Sequence, residues 1–221
     1  MFYETGMGTE TFQISLQIHD LGVERAGRHI LAGVNFSVVP GDALVLRGTN
    51  GAGKTSLLRA LAGFARVQEG EIRFLDGPDI IHREDIAATH MHYLGHENGV
   101  SLKLTVLENI ISWSQLLAPR NRHRAADIIA QVGLSLMASE RASRLSAGQK
   151  RRLALARLLI APRAVWLMDE PATALDAAGQ ELLKDVCQQH RAKGGIIVLT
   201  AHEGFTLPNA QGLHLAVGIP A

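Results

Sequence analysis

Cysteine is almost absent. Cys187 is the only one, so no disulfide can form within the chain, and a reducing compartment is the expected setting. Long apolar runs are absent too: none approaches the roughly 20 residues that a membrane-crossing helix needs. The start of the chain, Met1 to Gln13, is polar and lacks the basic and apolar regions of a secretory signal. These absences predict a chain soluble by itself, so that any membrane role would come through a partner. Neither sign of charge dominates. Lys and Arg number 22 against 21 Asp and Glu, which removes the electrostatic case for nucleic acid as a partner. There is no repeat, low-complexity tract, flexible linker or heptad run.

What is present suits a single α/β domain. The chain has 221 residues, and 47% of them are hydrophobic, enough for a sizeable core. Residues 1–11 read as a loose leader and 12–221 as one domain. Alternation at Phe12, Ile14, Leu16 and Ile18, and again over Val34 to Val38, predicts half-buried strands. Ala43 to Leu46, Ala164 to Met168 and Ile196 to Leu199 are continuous apolar runs, as in strands buried on both faces. Helical spacing marks Lys54 to Phe64 and Gly179 to Lys193. Val106 to Leu117 and Ala125 to Leu136 read as amphipathic helices within a helical insert over about 97–145. Strands alternating with helices predict a largely parallel sheet, with an antiparallel β part at the N-terminus.

Gly48-Thr-Asn50-Gly51-Ala52-Gly53-Lys54-Thr55 matches G-x-x-x-x-G-K-[ST] between a buried strand and a helix, which Ser56 continues. Glycines let successive amides turn toward phosphate oxygens, and the helix N-terminus adds partial positive charge. Lys54 is expected on the β/γ-phosphates and the Thr55 hydroxyl on Mg2+. By itself the motif fits a kinase, a GTPase, a motor or a transporter subunit. A second apolar strand ends in Asp169-Glu170. Ligands of open α/β sheets bind at strand carboxyl ends. Asp169 is therefore expected to organise Mg2+ and its waters, and Glu170 to polarise the attacking water. A third motif, Leu145-Ser146-Ala147-Gly148-Gln149, opens a helix that stops before Pro162, with Ser146 as its N-cap. A hydroxyl, a glycine backbone and a helix N-terminus make a second anion site. The basic triplet Lys150-Arg151-Arg152 that follows reads mainly as a solvated helix face.

This combination resembles the ABC-type ATPases over about residues 12–205, with Leu145 to Gln149 as their signature motif. The order of motifs also agrees: phosphate loop, linker segment, signature, acidic strand, Ala174-Leu175-Asp176, then His202. The resemblance implies ATP and Mg2+ as ligands and a nucleotide-sandwich dimer. Ser146, Gly148 and Gln149 of one copy would close over ATP held by the other, and Asp176 would touch the opposite subunit. His202 would contact the γ-phosphate. It further implies an integral membrane permease as partner and no nucleic acid.

Two positions depart from the common pattern. Arg25 stands where an adenine-stacking aromatic is usual, and a guanidinium plane can also stack on a base. His96, in Tyr93-Leu94-Gly95-His96-Glu97, takes the place of a Gln that would ligate Mg2+ or position water beside it, and a neutral His can do the same. With the flanking Gly-Lys-Thr-Ser-Leu-Leu-Arg and Gly-Gly-Ile-Ile-Val-Leu-Thr, this segment is similar to the ATPase subunits of the cytochrome c maturation system, often called the haem exporter. That likeness implies a peripheral subunit on the cytoplasmic face of the inner membrane. Other readings are an exporter ATPase for another cargo, a non-transport ABC protein acting on ribosomes or DNA, or a nucleotide-binding regulator. His90 and His92, expected on one face of a strand, and His96 are read as parts of an ATPase core rather than haem ligands.

Overall fold

The computed structural model describes residues 11–25, 27–119, 124–201 and 204–215. Its long strands divide into two sheets. The first is antiparallel, in the order β2 (Arg28–Val38), β1 (Ile14–Arg25), β4 (Glu69–Asp76), β5 (Asp79–Ile81). The second is parallel throughout, in the order β6 (Met91–Leu94), β7 (Val165–Met168), β8 (Ile196–Thr200), β3 (Ala43–Arg47), β9 (Gln211–His214).

The three apolar runs form the centre of the parallel sheet, and their side chains alternate between its faces. Leu44, Leu46, Val165, Leu167, Ile196 and Val198 pack with Leu57, Leu58 and Leu61 of α1 (Lys54–Leu61) and with Leu16 and Ile18 of β1. Ala43, Val45, Trp166, Met168, Ile197 and Leu199 face the opposite way. They meet Ala154, Leu155 and Leu158 of α5 (Ala147–Ile160) and Leu183, Val186 and Cys187 of α6 (Ala177–Ala192).

The helical region contains α3 (Val106–Leu117) and α4 (Ala125–Gln131), after a single turn α2 (Arg83–Asp85). Val106, Ile110, Ile128, Ile129 and Val132 form a third cluster, closed by Leu153, Ala156 and Ile160 from the other side of α5. Helix α5 therefore serves two cores at once, and that explains an apolar pattern that nearly encircles it.

Three features differ from the sequence expectations. Strand β9 was not anticipated: its Gln-Gly-Leu-His is mostly exposed, as suits an edge strand with no apolar alternation. A π turn over Ile86–His90 precedes β6, so His90 ends that turn and does not share a strand face with His92. The helix predicted to start at Gly179 starts at Ala177, because Asp176 caps it by accepting the Gly179 amide. Behind the sheet, the His190 ring stacks on Trp166 with centroids 3.8 Å apart, and His92 bonds the Ala161 carbonyl at 2.9 Å.

Candidate functional site

Because β6, β7, β8 and β3 are parallel neighbours, their carboxyl ends lie side by side. The phosphate loop follows β3, Asp169 and Glu170 follow β7, Thr200 ends β8, and Gly95-His96 follows β6. The loop is tightly packed. A Cβ on Gly53 (φ 90°) would lie 2.6 Å from Leu31 Cδ2, and one on Gly48 (φ 141°) would lie 2.6 Å from the Leu215 carbonyl. Glycine is required at both places by conformation and by space. Helix α1 opens without a side-chain cap and without an acid in its first turn, so its N-terminal partial charge is left for a ligand. Lys54 is buried, and its ammonium donates to the carbonyls of Gly48 (2.7 Å) and Thr49 (3.0 Å). Asn50, Gly51 and Thr55 are exposed, Ser56 is half-buried, and Ala52 is buried under the loop.

A chain of hydroxyls joins the loop to the acidic strand end. Thr55 Oγ1 donates to Asp169 Oδ2 at 2.9 Å, and Thr200 Oγ1 donates to Asp169 Oδ1 at 2.8 Å. Thr200 also accepts the Glu170 N–H at 2.7 Å. Asp169 is only 3% exposed, so these contacts replace its lost hydration. Glu170 has φ 49°, an uncommon backbone for a non-glycine residue, and its side chain keeps some exposure. His96 Nδ1 lies 3.9 Å from Glu170 Oε2, and His96 is itself largely exposed. Thr55 and Asp169 supply hydroxyl and carboxylate oxygens, the donors a hard divalent cation prefers. Among the described residues no group of three His, Cys, Asp or Glu is disposed to hold a metal by itself. These donor types fit Mg2+, which is commonly completed by substrate phosphates and water.

The remaining motif residues form a second group. Ser146 and Gln149 make a reciprocal capping box: Ser146 Oγ accepts the Gln149 amide, and Gln149 Oε1 accepts the Ser146 amide. The Ala147 and Gly148 amides of the same turn lie outside the helix's own bonding ladder. Gly148 approaches Ala174 so closely that a Cβ would lie 2.8 Å from its carbonyl. Asp176 Oδ1 accepts from Arg152 at 2.5 Å and from the Gly179 amide at 2.9 Å. Those bonds, Arg152 first, hold its pKa below the ordinary value. Ser146 and Asp176 are exposed. Among the described residues, no hydrogen bond runs from this group to the phosphate loop.

Three sequence expectations lie outside the described residues: the leader up to residue 10, all of His202, and the side chain of Arg25, whose backbone ends β1. One expectation is corrected. Arg151, read with its neighbours as a solvated face, is 3% exposed. It shares one side of α5 with Leu155 and Leu158, at the i+4 and i+7 positions, and that spacing was a usable signal of burial. Thr200 was also missed. Its signal is a hydroxyl ending an otherwise apolar strand one position beyond the run.

Comparison with known proteins agrees with this geometry. The ABC transporter family matches residues 31–173. The cytochrome c biogenesis ATP-binding export protein CcmA of Paramagnetospirillum magneticum is 45% identical over 199 residues, covering 89% of this chain and 91% of that protein. The protein of the same name from Agrobacterium fabrum is 39% identical over 206 residues, covering 91% and 95%. Among solved structures, a putative ABC transporter ATP-binding protein from Pyrococcus furiosus superposes with TM-score 0.77 over 91% of this chain and 97% of that one. At 22% identity it speaks to the fold alone. By the family match and by these relatives, this chain belongs to the ABC transporter family, among the cytochrome c biogenesis ATP-binding export proteins.

Proposed function

We propose that this protein is the ATP-hydrolysing subunit of a membrane ABC transporter that supports haem export or delivery in c-type cytochrome biogenesis. The observation that carries the hydrolytic part is the hydroxyl chain from Thr55 through Asp169 and Thr200 to Glu170. It joins a phosphate-binding loop to the backbone of Glu170, whose carboxylate can accept a proton from water, and phosphoryl transfer to water needs both. Loop amides and Lys54 would hold the ATP phosphates. Thr55 and Asp169 would hold Mg2+, which neutralises phosphate charge when bound. Glu170 would accept the proton of the attacking water, with His96 beside it. His202 is assigned to the γ-phosphate and Arg25 to the base by family likeness.

Residues 12–221 are read as one ATPase unit with a helical insert over about 97–145. Ser146, Gly148, Gln149 and Asp176 are assigned to the site of a second copy, in a dimer with ATP at the interface. The exposure of Ser146 and Asp176 supports that reading. Among the described residues no helix is long and apolar enough to cross a membrane. By likeness to the export proteins named above, the subunit would sit on the cytoplasmic face of the membrane and act through an integral partner. A cleft of about 320 Å3, with Phe64, Met91, Tyr93, Leu117 and Arg157 in its walls, offers an apolar surface for that partner.

The cargo reading comes from the names of the relatives and from the His96 segment. It is tested in cells carrying Lys54→Ala in place of the native protein. Loss of covalent haem from c-type cytochromes is the expected result. Unchanged c-type cytochromes would contradict the assignment.

A further inference from the structure

Arg151 uses every N–H of its guanidinium. Nε donates to the Pro171 carbonyl at 3.1 Å. Nη1 donates to the Gly95 carbonyl at 3.1 Å and to Asn98 Oδ1 at 3.0 Å. Nη2 donates to the carbonyls of Asp169 and Glu170, both at 2.8 Å. Burial pushes this group's pKa down to about 10, while nearby Asp169 and Glu170 favour its charged form. A buried cation that takes only neutral acceptors is costly to keep, so the arrangement calls for a use.

The two segments it grips and the helix that carries it are the ones the hydrolytic reading depends on. One is the turn after β7, where Glu170 holds its φ of 49°. Another is the Gly95 to Asn98 segment that carries His96. The last is α5 itself, whose first turn holds Ser146, Gly148 and Gln149. Both backbone polar groups of Glu170 are fixed, the carbonyl by Arg151 and the amide by Thr200. Uncommon backbone conformations persist where their surroundings over-determine them in this way. A planar fork can span carbonyls on two strand ends, whereas a lysine has three donors on one atom and no such reach.

We propose that Arg151 is a positioning residue for Glu170: its guanidinium ties the first turns of α5 to the Glu170 turn and the His96 segment, so that engagement of the Ser146 motif by a second subunit's nucleotide sets the hydrolytic carboxylate. This rests on the reading of Glu170 as the proton acceptor. Arg151 is 3% exposed and spends its donors within the protein, so it acts through the groups it holds.

The test compares wild type with Arg151→Lys and Arg151→Met in the full chain, with Arg151→Lys carrying the result where Arg151→Met does not fold. The expected kcat falls by at least about 20-fold while ATP affinity stays within about threefold. In a Glu170→Gln background, Arg151→Lys should remove no further activity, because its effect passes through Glu170. Hydrogen exchange without nucleotide should quicken about tenfold at residues 94–98 and 169–173 and not in β3 or α1. Normal kcat with unchanged exchange would overturn the proposal. So would a loss spread equally over kcat, ATP affinity and thermal stability, or a further loss in the Glu170→Gln background. A wild-type protein with no turnover would instead sink the hydrolytic reading, and the exchange result alone would then decide whether Arg151 is the clamp.

Discussion

The Thr200 hydroxyl donates to Asp169 Oδ1 at 2.8 Å and at the same time accepts the Glu170 amide at 2.7 Å. One side chain on β8 therefore serves both acids at the end of β7. Thr200→Val keeps the shape and leaves a buried carboxylate oxygen and an amide without this partner. The expected cost is about 1–3 kcal/mol of stability, from unmet polar groups, with turnover lowered about tenfold by the released Glu170 turn. Urea titration and steady-state ATPase rates check both. A fully active, equally stable variant would show that Thr200 is a packing residue only.

His92 and His190 set an acid limit on stability. Burial is the main cause for both, holding the His92 pKa at about 4 and that of His190 at about 3. The unfolded chain titrates near the ordinary value of about 6.5, so below it the unfolded state binds protons that the folded state refuses. Stability contributed by the neutral rings is complete above that pH and is lost as pH falls from about 6.5 toward 4. At pH 5 the loss is about 2 kcal/mol per histidine. Denaturant midpoints at pH 7.5 and pH 5 measure it, and His190→Phe, which retains a ring against Trp166, should shrink the difference by about half.

Ser146→Arg and Lys54→Ala test the composite site. Each variant alone should be inactive, because each dimer then has two damaged sites. Mixed in equal amounts, they form heterodimers with one intact site, and about a quarter of wild-type activity should return, since half the dimers would be mixed and each would carry one working site of two. Absence of any recovery, with subunit exchange verified, would place Ser146 in its own subunit's site.

His96→Gln should be tolerated. His96 is largely exposed and only 3.9 Å from Glu170 Oε2, so an amide can occupy the same place without burying a new group. Turnover within about threefold of wild type is expected, whereas His96→Glu should lower it by about tenfold through repulsion of Glu170. Equal rates for the two variants would remove His96 from the site.

The parallel sheet was legible because β3, β7 and β8 are buried on both faces, and continuous apolar runs between turn signals are how such strands read. The start of α5 was legible for a different reason: a Ser N-cap and a Gln three residues later satisfy each other's backbone locally, whatever the rest of the chain does. The motif residues Gly48 to Ser56 and Asp169-Glu170 could be singled out because a phosphate-binding pattern has set residue types and spacing, and the structure brings the two segments together through Thr55 and Asp169. Arg151 and Thr200 could not be read that way. Their roles come from contacts across the fold, to Gly95, Asn98 and Pro171 for Arg151 and to Asp169 and Glu170 for Thr200, and no local spacing encodes those. The basic triplet misled because an arginine beside two others looks solvated until its place on the helix is counted against Leu155 and Leu158.

In the proposed function two copies enclose ATP and Glu170 drives its hydrolysis. Sedimentation of Glu170→Gln with and without Mg-ATP, alongside its turnover rate, tests this most directly. An amide cannot take the proton of the attacking water, so turnover should fall at least about 100-fold while ATP still binds. The variant should then sediment as a monomer without nucleotide and as a dimer retaining ATP when it is present. Wild-type turnover would remove Glu170 as the proton acceptor, and a variant that binds ATP yet stays monomeric would rule out the nucleotide-enclosing dimer.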